Sequence, residues 1–193
     1  MKKYYWFLWI ALIAWSGYYN LFITTNSTYL DEYFTQNLDG FSIAIFNVMG
    51  FFPLLFILDG FLFHRFDRSK WLLWTAFLLG GFVVFPVYLF GKSSKRVFVN
   101  QNRWWALSVL ILATLFSGYF LWTLMSTIGT TTYFDRFLTD VFIGIMTVDF
   151  FVLYALSIVR SVEVSRRWAW FSVIPLVGFP LTYALALSFP SKD

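Results

Sequence analysis

Six apolar runs, at positions 4–22, 41–63, 71–90, 104–125, 141–159 and 168–189, make up most of this chain. Each is close to the ~20 residues a helix needs to cross the hydrocarbon core of a bilayer. The runs are continuously apolar and lack the two-residue alternation of an outer-membrane strand, so a barrel does not fit. The pattern predicts an all-α, polytopic transmembrane helix bundle of six spans joined by short polar loops. Pro53 should kink the second span, because it removes a backbone donor and crowds the preceding turn. Gly80-Gly81 lies near the centre of the third span and Pro86 near its end, and the sixth contains Pro175, Gly178 and Pro180. Ala14-Trp15-Ser16 offers the small residues of a signal-peptide cleavage site, but the bulky Trp15 argues for a retained helix.

The order of polar landmarks repeats after about a hundred residues, the self-similarity of a duplicated unit. Ser16-Gly17-Tyr18-Tyr19 matches Ser117-Gly118-Tyr119-Phe120, Asp39 matches Asp140, and Phe41 matches Phe142. Lys70-Trp71 opens the third span as Arg167-Trp168 opens the sixth, and Gly81-Phe82 corresponds to Gly178-Phe179. The whole chain, 1–193, reads as a single integral membrane domain of two three-helix repeats, at about 4–90 and 104–189. All ten Trp lie in the first, third, fourth and sixth spans. Trp anchors helices at lipid interfaces, so the Trp-free second and fifth spans are expected in the bundle interior.

Composition supports the membrane reading, with 60% hydrophobic and only 12% charged residues, against about half and a quarter in soluble domains. The net charge of +4 suits cytoplasmic loops and anionic lipid heads; no basic run is long enough for nucleic acid. With no Cys, disulfides, thiolate metal sites and cysteine nucleophiles are excluded. One His leaves a protein-only zinc site without ligands, and no metal or cofactor is expected. Orientation is ambiguous. Six spans place seven Lys and Arg on each side, and three-span repeats must be inverted, which the basic residues do not follow. Either one half inserts against its preference or one span does not cross fully, the third being the prime candidate. Because the first helix usually dominates, the N-terminus is placed inside, in the bacterial cytoplasmic (inner) membrane.

The candidate chemistry is sparse. Asp149 is an acid in the middle of an apolar span, where ionisable groups mark ion or substrate paths. With Asn47, at a similar depth in the matching span, it forms the candidate intramembrane polar site. Alternatively it is an acid joining two helices, bonded to Asn47, Tyr18 or Tyr119. Asp59, His64 and Arg65 form a second candidate, an interfacial cluster that could relay protons or simply pair with Asp67 and Arg68. His64 could also ligate a haem or chlorophyll. Glu163 among Arg160, Arg166 and Arg167 reads as a charged turn. Asp31, Glu32 and Asp39 lack the oxygen cage that calcium needs. Ser16, Gly17, Ser117 and Gly118 read as sites of close helix packing. No hydrolase triad or phosphate loop is present.

The segment Phe46-Asn47-Val48-Met49-Gly50 with Pro53-Leu54, and the run from Asp149 through Glu163 and Arg166-Arg167-Trp168 to Gly178-Phe179-Pro180-Leu181, resemble a family of small polytopic membrane proteins. It is a domain-of-unknown-function family found in cyanobacteria, other bacteria and plastids. The likeness covers about half the chain and implies a helical membrane fold and no assigned activity. The expectation is a non-enzymatic membrane protein with an assembly, stabilising or sensing role. Its partners would be the lipid bilayer and another membrane protein, not nucleic acid. The alternative is a small proton- or cation-coupled transporter using Asp149. A lipid-modifying enzyme built on Asp59, His64 and Asp67 ranks third.

Overall fold

The computed structural model describes residues 2–23, 29–35, 37–62, 68–90 and 103–189. Among these residues the fold is helical and contains no strand. Its principal helices are α1 (Lys2–Phe22), α3 (Gly40–Leu62), α6 (Arg103–Thr127) and α8 (Val141–Val164). Between them lie α2 (Tyr29–Phe34), α4 (Ala76–Leu79), α5 (Gly81–Phe90), α7 (Tyr133–Arg136) and α9 (Gly178–Ser188). Three helices, α3, α6 and α8, are long and apolar enough to cross a bilayer, consistent with a membrane protein. At 21 residues α1 matches them in length, but its many Trp and Tyr make it less apolar.

The third and sixth expected spans are broken. The 3-10 helix Arg68–Thr75 leads through α4 to a break at Gly80 and then α5. In the second half the 3-10 helix Ala169–Val173 leads through a turn to α9. Each break contains a residue with positive φ, Gly80 at 51° and Leu176 at 65°. For a non-glycine residue that conformation costs about 1–2 kcal/mol; at Leu176 the side chain is buried, and its burial offsets the strain.

Contacts fix the direction of each helix. Call the end where α1 begins the lower end. There Tyr5 meets Tyr88 with ring centroids 6.1 Å apart, and Asp59 near the end of α3 meets Arg160 near the end of α8. At the upper end Tyr19 of α1 donates to the Phe137 carbonyl at 2.6 Å, and Gly40 of α3 lies against Thr127 of α6. Thus α1 and α6 rise while α3 and α8 descend. From Gly81, beside Leu12 midway along α1, α5 descends until Phe90 stacks edge-on against Trp6 at 5.7 Å. In α9, Thr182 donates to the Trp168 carbonyl at 3.2 Å, and Ser188 accepts from Arg103 Nη2 at 2.8 Å. Both short helices therefore return to the lower end, from which their 3-10 segments set out. Both regions were expected as spans, the third also as the prime candidate for one that does not cross fully. They are hairpins, because a glycine in a left-handed turn at one tip and a Pro175-Leu176 turn at the other reverse the chain.

The first helix of each half packs on the second helix of the other, α1 on α8 and α6 on α3, and then on its own short helix, α1 on α5 and α6 on α9. The 3-10 helices rest on α3 and α8 respectively. As expected from their lack of Trp, α3 and α8 are more deeply covered than α6. The small-residue expectation holds in part: Ser16 and Ser117 are buried, whereas Gly17 and Gly118 have open space where a Cβ would sit. The core is rich in aromatic edge-to-face contacts such as Phe52–Phe150 and Phe56–Tyr88, a geometry that ring quadrupoles favour.

Candidate functional site

Asp149, only 6% exposed, projects from the middle of α8 into the tip of the first hairpin. Its Oδ1 accepts from the Gly81 amide at 2.8 Å. The first amides of a helix have no intrahelical partner, so Asp149 caps α5 from another helix and sits at the favourable end of its dipole. The sequence permits this approach only because both tip residues are glycine. A methyl group at Gly80 or Gly81 would run into the carboxylate, and Gly80 also needs its positive φ. The break is internally satisfied as well: Gly80 N–H donates to Ala76 at 2.8 Å, and the Gly80 carbonyl accepts from Val83 and Val84 at 3.3 Å.

Asn47 does not join Asp149. It is exposed, and its Oδ1 accepts from Tyr33 of α2 at 3.2 Å. Tyr18 and Tyr119, the other anticipated partners, point outward, each at least half exposed. The two positions lie at similar depths but on different faces: the displacement that aligns Asp39 with Asp140 aligns Asp149 with Val48 rather than Asn47.

The second candidate moves from the surface to the interior. Asp59 is 1% and Arg160 3% exposed. The guanidinium grips the carboxylate with two bonds, Nη2 to Oδ1 at 2.9 Å and Nε to Oδ2 at 3.1 Å. Tyr183 of α9 donates to Oδ1 at 2.5 Å, and Tyr88 of α5 donates to Oδ2. Each oxygen thus accepts two bonds, a fully satisfied carboxylate. Arg160 Nη1 also donates to Glu163, one turn further along α8. The guanidinium carbon stands 5.2 Å from the Tyr88 ring centre, within cation–π range. The buried Tyr5 hydroxyl of α1 lies beside Glu163. Five elements meet at this one group. His64 and Arg65, the other members of the expected interfacial cluster, lie outside the described residues.

Arg160, Tyr88 and Tyr183 were not singled out as site residues from sequence, and Arg160 was placed in a solvated turn. A signal existed. Asp59 and Arg160 are 101 positions apart, the same displacement that aligns Ser16 with Ser117 and Asp39 with Asp140. Equivalent positions of the two Trp-free spans carry opposite charges.

At the upper end Asp39 and Asp140 play the same part. Asp39 accepts from the Ser42 amide at 2.9 Å and Asp140 from the Ile143 amide at 3.1 Å, each capping its helix. Asp39 also accepts from Thr132. Burial pushes its carboxyl up, but hydrogen bonds from Ser42, Thr131 and Thr132 outweigh this and hold it below its ordinary value. Glu32 pairs with Arg136 at 2.7 Å. Among the described residues no three of His, Asp and Glu converge as a metal site. No family model, curated protein or solved structure matches this chain.

Proposed function

We propose that this is a non-enzymatic multi-pass protein of the bacterial cytoplasmic membrane, built from two repeats, that assembles or stabilises a membrane complex. The observation that carries this reading is the way Asp59 is consumed. Both oxygens are committed to Arg160, Tyr88 and Tyr183, so the most polar interior group binds the bundle together. The outward faces of α1 and α6 are apolar and aromatic, with Phe7 71%, Leu115 65% and Trp122 67% exposed. Such a surface is made for lipid tails and neighbouring helices. The exchange of partners between halves, α1 on α8 and α6 on α3, and the equivalent caps Asp39 and Asp140 support the repeat. Kinship with the small polytopic family is part of the same proposal. Purification in mild detergent is expected to retain a stoichiometric membrane partner; a monodisperse, partner-free protein under those conditions would count against the reading.

A second reading, proton- or cation-coupled transport, is favoured by one feature. Asp149 lies where a helix is broken, the arrangement that transporters use for ions and anionic substrates. Here the protein's own carboxylate occupies the start of α5. Loss of flux in proteoliposomes on Asp149→Asn, with folded yield intact, would support transport, and unchanged flux would remove it.

A further inference from the structure

We infer that the chain crosses the bilayer only four times, through α1, α3, α6 and α8, inserts two hairpins from one side, and presents one basic face to the anionic headgroups of the cytoplasmic leaflet. The inference rests on the membrane reading proposed above. It begins from lengths. At 1.5 Å per residue, the ten residues of α5 cover about 15 Å, half of the ~30 Å hydrocarbon core. The eleven residues of α9 reach little further. Both helices begin at the middle of the bundle and end at the lower end, where Phe90 meets Trp6 and Ser188 meets Arg103. Irregular backbone at membrane depth is tolerated where it is buried in protein, and the first tip is sealed by Asp149.

This topology changes the symmetry. Three crossings per half would invert the second copy; two crossings and a hairpin leave the copies parallel, so α1 and α6 both start at the lower end. It also resolves the charge tie. Of the nine described Lys and Arg, seven lie at the lower end besides the buried, paired Arg160, and only Arg136 lies at the upper. Five of the eight described acids, Asp31, Glu32, Asp39, Asp135 and Asp140, lie at the upper end. Basic residues beside membrane spans stay cytoplasmic, and Lys and Arg near an anionic leaflet are attracted to it. At this end Arg167 stands 4.7 Å over the Trp168 ring, and Trp104 and Trp105 of α6 are 79% and 59% exposed, the aromatic girdle of a headgroup region.

The chain has no cysteine, so single-cysteine labelling needs no prior engineering. The four variants are Thr35→Cys, Ser94→Cys, Thr130→Cys and Ser165→Cys, each treated with a membrane-impermeant maleimide in intact spheroplasts and again after permeabilisation. Positions 35 and 130 are expected to label in intact spheroplasts, and positions 94 and 165 only after permeabilisation. If 35, 94 and 165 share one side and 130 the other, the chain crosses six times and the inference fails while the membrane reading stands. If 94 and 165 label from outside and 35 and 130 do not, the basic face is not cytoplasmic and the inference fails in its orientation. Recovery of the protein in the soluble fraction would overturn the membrane reading itself.

Discussion

A carboxylate and a guanidinium removed from water repay their desolvation only when the geometry is good and every remaining lone pair is satisfied. Asp59 meets both conditions, so its loss should expose the cost. Truncating one partner of such a pair typically destabilises by about 3–5 kcal/mol. Asp59→Ala and Arg160→Ala should each show a loss of that order in detergent unfolding, while Asp59→Leu combined with Arg160→Met should lose far less than the sum. Additive losses in that double variant would show that the two residues do not act as a pair. Tyr88→Phe and Tyr183→Phe each remove one hydrogen bond to a charged acceptor, about 1.5–3 kcal/mol. Asp39 makes a pH prediction. Its folded carboxyl is held below its ordinary value, so the unfolded chain binds the proton more readily and stability rises with pH. Its contribution is present above the unfolded value of about 3.9 and is lost as pH falls through the lower folded value. Asp39→Asn should therefore flatten part of the acid branch of a melting-temperature profile. At this scale the sequence was legible in the correspondence of Asp39 with Asp140, which are equivalent caps in the structure, though their capping role was not read from it. It was misleading at Asp59, whose nearby His64 and Arg65 suggested a surface cluster while its real partners lie on α5, α8 and α9.

The hairpin formed by the 3-10 helix Arg68–Thr75, α4 and α5 shows what apolarity alone cannot convey. Residues 71–90 have the length and hydropathy of a crossing, yet the direction of the chain is set by two glycines and an acid on another helix. Gly80→Ala should be strongly destabilising, because it adds a methyl group against Asp149 and a positive φ of about 1–2 kcal/mol. In an Asp149→Ala background the overlap disappears and only the conformational cost should persist, so the two changes should couple in a double-mutant cycle. Asp149→Asn keeps an acceptor for the Gly81 amide and should fold; Asp149→Ala leaves that amide bare. The Gly80-Gly81 pair did mark the third span as the irregular one, but periodicity gave no indication that the second half hides a matching reversal behind Pro175.

For the molecule as a whole, the exchange of helix partners means that neither half completes its own core. Residues 1–97 and 98–193, made as separate chains, should each be degraded or aggregated alone and should co-purify as a folded pair when made together. An independently stable half would contradict the packing of α1 on α8 and α6 on α3. The helical membrane class and the duplicated landmarks were readable in the sequence, since long apolar runs and ordered polar markers are local properties. The relative direction of the copies was not, because six equal spans and four spans with two hairpins have almost the same hydropathy. The evenly divided basic residues and the Gly80-Gly81 pair were the features of the sequence that left the six-span count open.

The distance in sequence between Asp59 and Arg160 has a consequence for biosynthesis. At roughly 5–20 residues per second, the acid leaves the ribosome several seconds before the arginine that will neutralise it. Tyr88 follows early, but Tyr183 comes last of all. On the proposed membrane reading, the first half waits at the translocon with an acid not yet paired to Arg160, favouring a shallow position until α8 arrives. A translational pause or truncation before residue 160 would leave a nascent chain with a half-built clasp, an obvious target for membrane quality control.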